Sequence, residues 1–235
     1  MFGVVPTWDL LLEAFNQLIP VELVPSILHL EQDMVFHRPL VPGMTLSTEA
    51  ECYCVRVTRI GARMTVRLVS EDDAGDAVLT QFSTLFVRGM TSGDDLGPEP
   101  PAHAFPREAR DRSVGVASRH VDPDQTYRYR EASGDTNPIH VDDEVARSVG
   151  LPGIILQGLC TMAICGAVVV DEVAGADPGR LARLAVRFSK PVFPGSDVTV
   201  ALFDGGDAGD RHVYAFEATS GGKLVVRDGL AEVRR

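Results

Sequence analysis

The segment Phe36-His-Arg-Pro39-Leu-Val-Pro42-Gly43 recurs 152 residues later as Phe188-Ser-Lys-Pro191-Val-Phe-Pro194-Gly195. A phenylalanine, a basic residue, two prolines and a glycine keep the same spacing in both copies. Such self-similarity at a fixed distance indicates that one supersecondary unit is present twice. The fold is therefore expected to consist of two related halves.

The sequences around the two copies support this interpretation. Each copy is followed by alternating strand-like residues and then by a hairpin-like pair, with turns at 71–75 and 220–222. Upstream, residues 2–14 align with residues 154–166, and both runs predict a mostly apolar helix suited to burial inside a curled sheet. One long helix wrapped by an antiparallel sheet is an α+β unit. The two sheets are expected to form one continuous surface.

The domain limits follow from this repeat. We assign residues 1–89 to a non-catalytic N-terminal unit, residues 90–118 to a linker rich in Gly, Pro and acids, and residues 119–235 to a C-terminal catalytic unit. The second unit carries an extra segment, His120–Pro152, before its helix. Because the first unit begins almost on its helix, we expect its start to be incomplete, with residues missing before Met1.

Composition and charge restrict the partners. The chain has 33 acidic and 22 basic residues and a net charge of −11, so we exclude a nucleic-acid partner, which needs concentrated positive charge. The four cysteines lack zinc spacing beside histidines, and we expect no metal site. Polar residues interrupt the first apolar stretch, so neither a membrane span nor a signal peptide is predicted. Reduced thiols and a cytoplasmic location are expected.

The extra segment contains the string Ser133-Gly-Asp135-Thr-Asn137-Pro-Ile-His140. The glycine and the proline within it prevent a continuous helix, so the polar side chains are expected to project from a rigid turn. A short helix is predicted to start near Asp142 or Asp143, with carboxylates at its positive end. The buried helix is predicted to start at or near Gly158.

This arrangement suits the addition of water to a conjugated double bond. The reaction needs a group that activates water, a proton source, and donors for the negative charge that develops on a thioester oxygen. Asp135 and His140 can share the acid–base work, and Asn137 can orient the water. The N–H of Gly158, at a helix N-terminus, can bind the oxyanion.

The string resembles the signature S-G-D-x-N-P-[IL]-H of the MaoC-like, type 2 (R-specific) enoyl-CoA hydratases, which is followed by H-G-[LM] at a helix start. The resemblance covers nearly the whole chain, since double hot-dog members carry F-x-[RK]-P in both halves. It implies a double hot-dog fold and a site at Asp135, Asn137, His140 and Gly158. It also implies reversible syn hydration of trans-2-enoyl-CoA to (R)-3-hydroxyacyl-CoA without a cofactor. Gln157 departs from the family's usual His and cannot titrate near neutrality.

The candidate substrate-binding residues are Ser133, Gln157, Tyr129 and Trp8, of which Ser133 and Tyr129 also suit bracing of the turn. The expected substrate is an acyl-CoA or acyl-carrier-protein thioester in fatty acid metabolism such as β-oxidation. A homodimer is expected, because such units rarely stand alone. The remaining histidines, which lack ligand spacing, are assigned to the surface or to caps: His29, His37, His103, His120 and His212.

Two other functions stay open at this point. The first is thioester hydrolysis by the same fold, although the intact spacing of Asp135, Asn137 and His140 argues against it, because hydrolysis needs no protonated group aimed at the α-carbon. The second is a non-catalytic acyl-thioester-binding subunit, the state that the first unit is expected to illustrate.

Overall fold

The computed structural model describes the backbone of residues 2–235 and the side chains of residues 4–24 and 27–235. Met1, where the predicted first unit begins, lies outside the described residues. The strands are β1 (Ile27–Phe36), β2 (Ser47–Val57), β3 (Gly61–Glu71), β4 (Ala77–Arg88), β5 (Ser113–His120), β6 (Leu181–Phe188), β7 (Asp197–Ala208), β8 (Arg211–Ser220) and β9 (Lys223–Arg234). The α-helices are α1 (Trp8–Leu18), α2 (Gln125–Ser133), α3 (Asp143–Ser148) and α4 (Gly158–Val173).

Within the described chain these strands form one antiparallel sheet in the order β2-β3-β4-β1-β6-β9-β8-β7-β5. Toward the central seam the two halves repeat one strand order, β2-β3-β4-β1 and β7-β8-β9-β6, and β5 lies outside β7. The strands β1 and β6 pair at the central seam, from Glu31 opposite Arg187 to Val35 opposite Arg183. The predicted pair of α+β units with one continuous sheet is confirmed. Strand β5 extends the second half only, among residues 2–235.

The repeated segments mark the same chain turn in both halves. Strand β1 ends at Phe36 and β6 ends at Phe188, so each copy begins where the seam strand stops. The backbone φ is 88° at Gly43 and 77° at Gly195, a left-handed conformation that glycine adopts without steric cost. The repeat in the sequence therefore corresponds to the same chain turn, the repeated corner, in both halves.

The two long helices differ in burial. Helix α4 packs in the main core together with Val121 of the extra segment and Leu156, which precedes the helix. Helix α1 buries only one face, through Leu11 and Phe15, and leaves Leu12 41% exposed. The sequence predicted burial of both helices inside the sheet, but α1 keeps an exposed outer face, because in the described chain no segment covers that face. No helix among residues 2–235 is long and apolar enough to cross a membrane.

The predicted linker is a strap packed on the outer face of the sheet. Leu96 pairs with Val55 at the edge of β2, and Glu99 forms a salt bridge with Arg56 at 2.7 Å. Further along, Ala109 is completely buried. Strand β5 includes the last residues of the predicted linker and pairs with β7 from Ser113 onward.

Buried charges at the seam join the halves under this strap. Arg187 contacts Glu31 at 2.5 Å and Arg183 contacts Asp33 at 2.7 Å. His103 of the strap is also buried, 3.5 Å from Glu31, so its predicted surface position is wrong. Burial lowers the pKa of His103, but the Glu31 carboxylate and a backbone carbonyl outweigh burial and leave the pKa raised. Removing one partner from such a buried network is strongly destabilising.

Candidate active site

The catalytic string forms the rigid turn that the sequence predicts. Helix α2 ends at Ser133, and Gly134 caps it with φ 76°. The Ser133 hydroxyl donates to the Tyr129 carbonyl at 2.7 Å and accepts the N–H of Asp135 at 3.2 Å. One carboxylate oxygen of Asp135 accepts the N–H of Asn137 at 3.1 Å. Ser133 thus braces the turn and fixes the position of Asp135.

His140 lies in a 3₁₀ turn (Pro138–His140) and is only 7% exposed. Its Nδ1 is 2.8 Å from the carbonyl oxygen of Ile155. Because a carbonyl oxygen only accepts, Nδ1 carries the hydrogen and Nε2 presents its lone pair in the neutral ring. Burial is the largest influence on this ring, and it lowers the pKa of His140 despite the opposing effects of Ile155 and Asp135. His140 is therefore a neutral base near pH 7.

The base faces a carboxylate. Nε2 of His140 and Oδ2 of Asp135 are 3.7 Å apart. This separation is too long for a direct hydrogen bond, but both atoms can hydrogen-bond one water molecule held between them. The pair is thus arranged to bind and activate water.

The N-terminus of α4 lies next in the chain. Ile155, which orients His140, precedes Gly158 by three residues, and Gly158 is the first residue of α4. Within residues 2–235 no acceptor is found for the Gly158 N–H, which remains available to a ligand. A Cβ at Gly158 would lie 3.4 Å from the Phe188 ring, so this ring flanks the helix start.

Gln157, a predicted substrate-binding residue, is completely buried. Its Nε2 donates to the Thr126 carbonyl at 3.0 Å, which ties α2 to the start of α4. Its Oε1 has no partner among the described residues. The hydrogen bond to Thr126 supports a role in positioning the two helices, and contact of Gln157 with substrate stays a prediction.

Asn137 and Tyr129 have distinct environments. Asn137 is exposed, and its Oδ1 accepts the N–H of Ile139 at 3.3 Å, which caps the 3₁₀ turn. Its amide NH₂ has no hydrogen-bond partner among the residues that the structure describes. Tyr129 is half-buried against the main core, and burial raises the pKa of its hydroxyl, with Cys160 and Asp135 adding to the shift. Tyr129 thus stays a neutral wall beside the turn.

The first half also reaches the site. Trp8 packs against the main core and against a second core cluster that contains Leu11 and Phe15 of α1. Its Cδ1 lies 3.8 Å from the position that a Cβ would take at Gly134, next to Asp135. Its indole N–H is buried and has no partner in the described part of the chain. Trp8 therefore forms an aromatic wall that carries an unused donor.

Two aromatic rings near the candidate active site, those of His29 and Phe188, were not predicted from the sequence as site residues. His29 of β1 contacts Phe188 edge-on, with 5.0 Å between ring centroids, and is half-buried on the inner face of the sheet. Its predicted surface position is wrong. The repeat identified Phe188 as a structural residue. No pattern in the sequence predicted that β1 would place His29 beside the Phe188 ring.

The chain is similar to proteins of one known family. Residues 107–221 match the MaoC-like domain family. The chain is 31% identical over 214 residues to 3-hydroxyacyl-thioester dehydratase Y of Mycobacterium tuberculosis, covering 88% of this chain and 72% of that protein. It is 29% identical over 180 residues to a probable enoyl-CoA hydratase 2 of Dictyostelium discoideum, covering 75% of this chain and 60% of that protein.

Solved structures give the same result. A MaoC-like dehydratase from Phytophthora capsici superposes with a TM-score of 0.81 at 29% identity, covering 92% of this chain and 74% of that one. Peroxisomal multifunctional enzyme type 2 from Drosophila melanogaster superposes with a TM-score of 0.78 at 27% identity, covering 98% of this chain and 40% of that one. The double hot-dog fold is thereby confirmed, and the chain belongs to the MaoC-like family of type 2 enoyl-CoA hydratases and 3-hydroxyacyl-thioester dehydratases.

Proposed function

We propose that this protein catalyses the reversible syn hydration of trans-2-enoyl-CoA to (R)-3-hydroxyacyl-CoA without a cofactor. The observation that carries the proposal is the pair formed by His140 Nε2 and Asp135 Oδ2, 3.7 Å apart on one braced turn. The names of the relatives, enoyl-CoA hydratase and 3-hydroxyacyl-thioester dehydratase, support the reaction class.

The chemistry follows from this geometry. A water held by Asp135 and His140 loses a proton to the pair as its oxygen bonds to C3, and the pair delivers a proton to C2. The Gly158 N–H stabilises the negative charge that develops on the thioester oxygen between these events. Because both acid–base groups project from one turn, OH and H reach the same face of the double bond. The addition is therefore syn, and the free amide of Asn137 helps to orient the water.

The assay of this proposal follows loss of the conjugated enoyl-thioester absorbance with crotonyl-CoA. We expect this absorbance to fall as the 3-hydroxy product forms, with no release of free CoA thiol. Thiol release would instead indicate a hydrolase, and no change in either signal would indicate a non-catalytic binding subunit. Repeating the assay with the crotonyl thioester of acyl carrier protein compares the two carriers.

We further propose a cytoplasmic homodimer. Val114 and Val116 on the edge strand β5 are 47% and 62% exposed, which supports a partner at that edge. Light scattering is expected to give twice the chain mass, and a stable monomer contradicts the dimer. Fractionation of the source cells tests the location, and recovery in an organelle contradicts it.

A further inference from the structure

A polar side chain without partners lies in the sheet at the seam between the halves. Gln32 of β1 is completely buried beside His29, and neither atom of its amide reaches hydrogen-bond geometry with a partner within the described chain. A buried, unpaired amide is costly, because its hydrogen bonds to water are lost and not replaced. Native proteins keep few such groups, and each calls for an explanation.

A β-bulge brings His29 beside Gln32. The register of β1 against β4 shifts between His29 and Glu31, so His29 pairs with Leu85 while Gln32 pairs with Ser83. Leu85 packs against the core cluster that contains Leu11 and Phe15 of α1, on the inner face of the sheet. His29 and Gln32 therefore lie on this same face. Without the bulge, side chains three residues apart in a strand point to opposite faces. Bulges often re-aim side chains beside active sites.

The resulting cluster adjoins the proposed reaction centre. Nε2 of His29 lies 3.4 Å from the Ser83 hydroxyl, and the His29 ring contacts Phe188. Phe188 in turn lies against the start of α4 at Gly158. One aromatic ring therefore separates the three polar side chains from the N–H that is proposed to bind the thioester oxygen.

The cluster is uncharged near neutral pH. Burial lowers the pKa of His29 to about 4, and the Glu31 backbone and the nearby Gln32 amide offset only part of this shift. Gln32 and Ser83 carry no charge, and the arginines at the seam bind carboxylates under the strap on the opposite face. A charged group would therefore find no counter-ion here. An uncharged hydroxyl or keto group would find both donors and acceptors.

We propose that His29, Gln32 and Ser83 form a subsite for a hydroxyl or keto oxygen on the acyl chain, so that the preferred substrate is an oxygenated enoyl thioester. This inference rests on the hydratase function proposed above. It assigns specificity to the first half of the molecule, which contributes no proton-transferring group.

The test compares kcat/KM for trans-2-octenoyl-CoA with three analogues that carry a hydroxyl on one of the last three chain carbons. Crotonyl-CoA, too short to reach the cluster, is the reference. The wild-type protein is expected to prefer at least one hydroxylated analogue by roughly tenfold or more, because a site built to hydrogen-bond a hydroxyl rejects the chain that lacks it. Gln32→Leu is expected to abolish this preference and to leave crotonyl-CoA turnover unchanged.

Gln81 provides a matched control. It is a buried glutamine of the same sheet, but its Nε2 donates to the Thr7 hydroxyl at 3.0 Å. Gln81→Leu is expected to lower Tm and to keep the hydroxyl preference, because it removes a satisfied hydrogen bond. Gln32→Leu is expected to raise Tm or leave it unchanged, because it removes an unpaired amide. If Gln32→Leu does not fold, Ser83→Ala carries the same substrate comparison.

The outcomes separate this inference from the proposed function. If the wild-type protein hydrates crotonyl-CoA but uses plain octenoyl-CoA as well as or better than every hydroxylated analogue, the subsite is overturned and the hydratase function stands. Gln32 would then be an amide that binds only water. Retention of the hydroxyl preference in Gln32→Leu overturns the subsite as well. Failure of the wild-type protein to hydrate crotonyl-CoA overturns the hydratase function.

Discussion

The two halves of the molecule share a sheet order and a corner but differ at the start of their helices. In the second half, α4 begins at Gly158 with a free N–H, directly after the segment that holds Asp135 and His140. In the first half, the position equivalent to Gly158 is Pro6, which has no N–H to offer. We therefore expect the duplicated fold to supply the scaffold and the segment before α4 to supply the chemistry.

The first half contributes the walls of the site. Trp8 lies beside the catalytic turn, and His29 contacts Phe188 on the inner face. We expect neither residue to move a proton between water and substrate. Loss of chemistry is thus expected from changes in the second half, and changed specificity from changes in the first.

The largest effect is expected at the catalytic pair. Asp135→Asn should lower kcat/KM for crotonyl-CoA by about 10²–10⁴-fold, the usual contribution of general acid–base catalysis. Asp142→Asn is the matched control, because Asp142 caps α3 by accepting the N–H groups of Glu144 and Val145, and Asn caps equally well. A folded Asp135→Asn protein with near-normal turnover contradicts the assignment.

The next effect tests the difference between Gly158 and Pro6. Gly158→Pro should lower kcat by roughly 10²–10³-fold, the typical loss for one oxyanion donor. Proline is tolerated at the first helical position, and Gln157 already has the extended backbone that precedes proline (φ −57°, ψ 138°). Gly158→Ala keeps the N–H and meets the Phe188 ring at an ordinary 3.4 Å, so it should retain most activity. Equal rates in the two variants would exclude the oxyanion role.

The pH dependence of kcat/KM is expected to reflect the lowered pKa of His140. Its lowered pKa keeps the ring neutral through pH 7, and activity is lost only as acidification protonates the ring. The acid limb of kcat/KM should therefore lie below the ordinary histidine value of 6.5 and fall about tenfold per pH unit. Stopped-flow assays across this range provide the check, and an acid limb above 6.5 runs against this account.

A smaller effect on rate is expected at Trp8. Trp8→Ala should cost about 2–4 kcal/mol of unfolding free energy through lost packing and should change acyl-length preference. Short crotonyl-CoA should still be hydrated, because the proton-transferring pair is intact. Trp8→Phe is the control that keeps an aromatic wall. Denaturant unfolding and a chain-length series measure both effects, and complete inactivity of folded Trp8→Ala disproves the division of roles.

The sequence predicted what local chemistry determines. The turn at Ser133–His140, the cap at Asp142 and the helix start at Gly158 depend on glycine, proline and carboxylates at fixed positions, and the structure has each of them there. The two hairpins and the repeated corner likewise follow from local patterns.

The features that were not predicted depend on tertiary contacts between distant parts of the chain. Strand β1 was not predicted, because Glu31, Gln32 and Asp33 interrupt its apolar pattern, and only the arginines and the strap explain how two carboxylates are buried there. A bulge also breaks the alternation that identifies a half-buried strand. The burial of Gln157 depends on the Thr126 carbonyl of another helix. A single amino-acid sequence does not show which polar side chains become buried in the fold.

The central claim is that Asp135 and His140 act as one unit, present only in the second half. Its most direct test is the double-mutant cycle of Asp135→Asn and His140→Ala, measured as crotonyl-CoA hydration by folded proteins. Groups that share one water lose function together, so the double variant should have nearly the same residual rate as each single variant. A double variant whose rate loss equals the product of the two single losses would show two independent groups and contradict the claim.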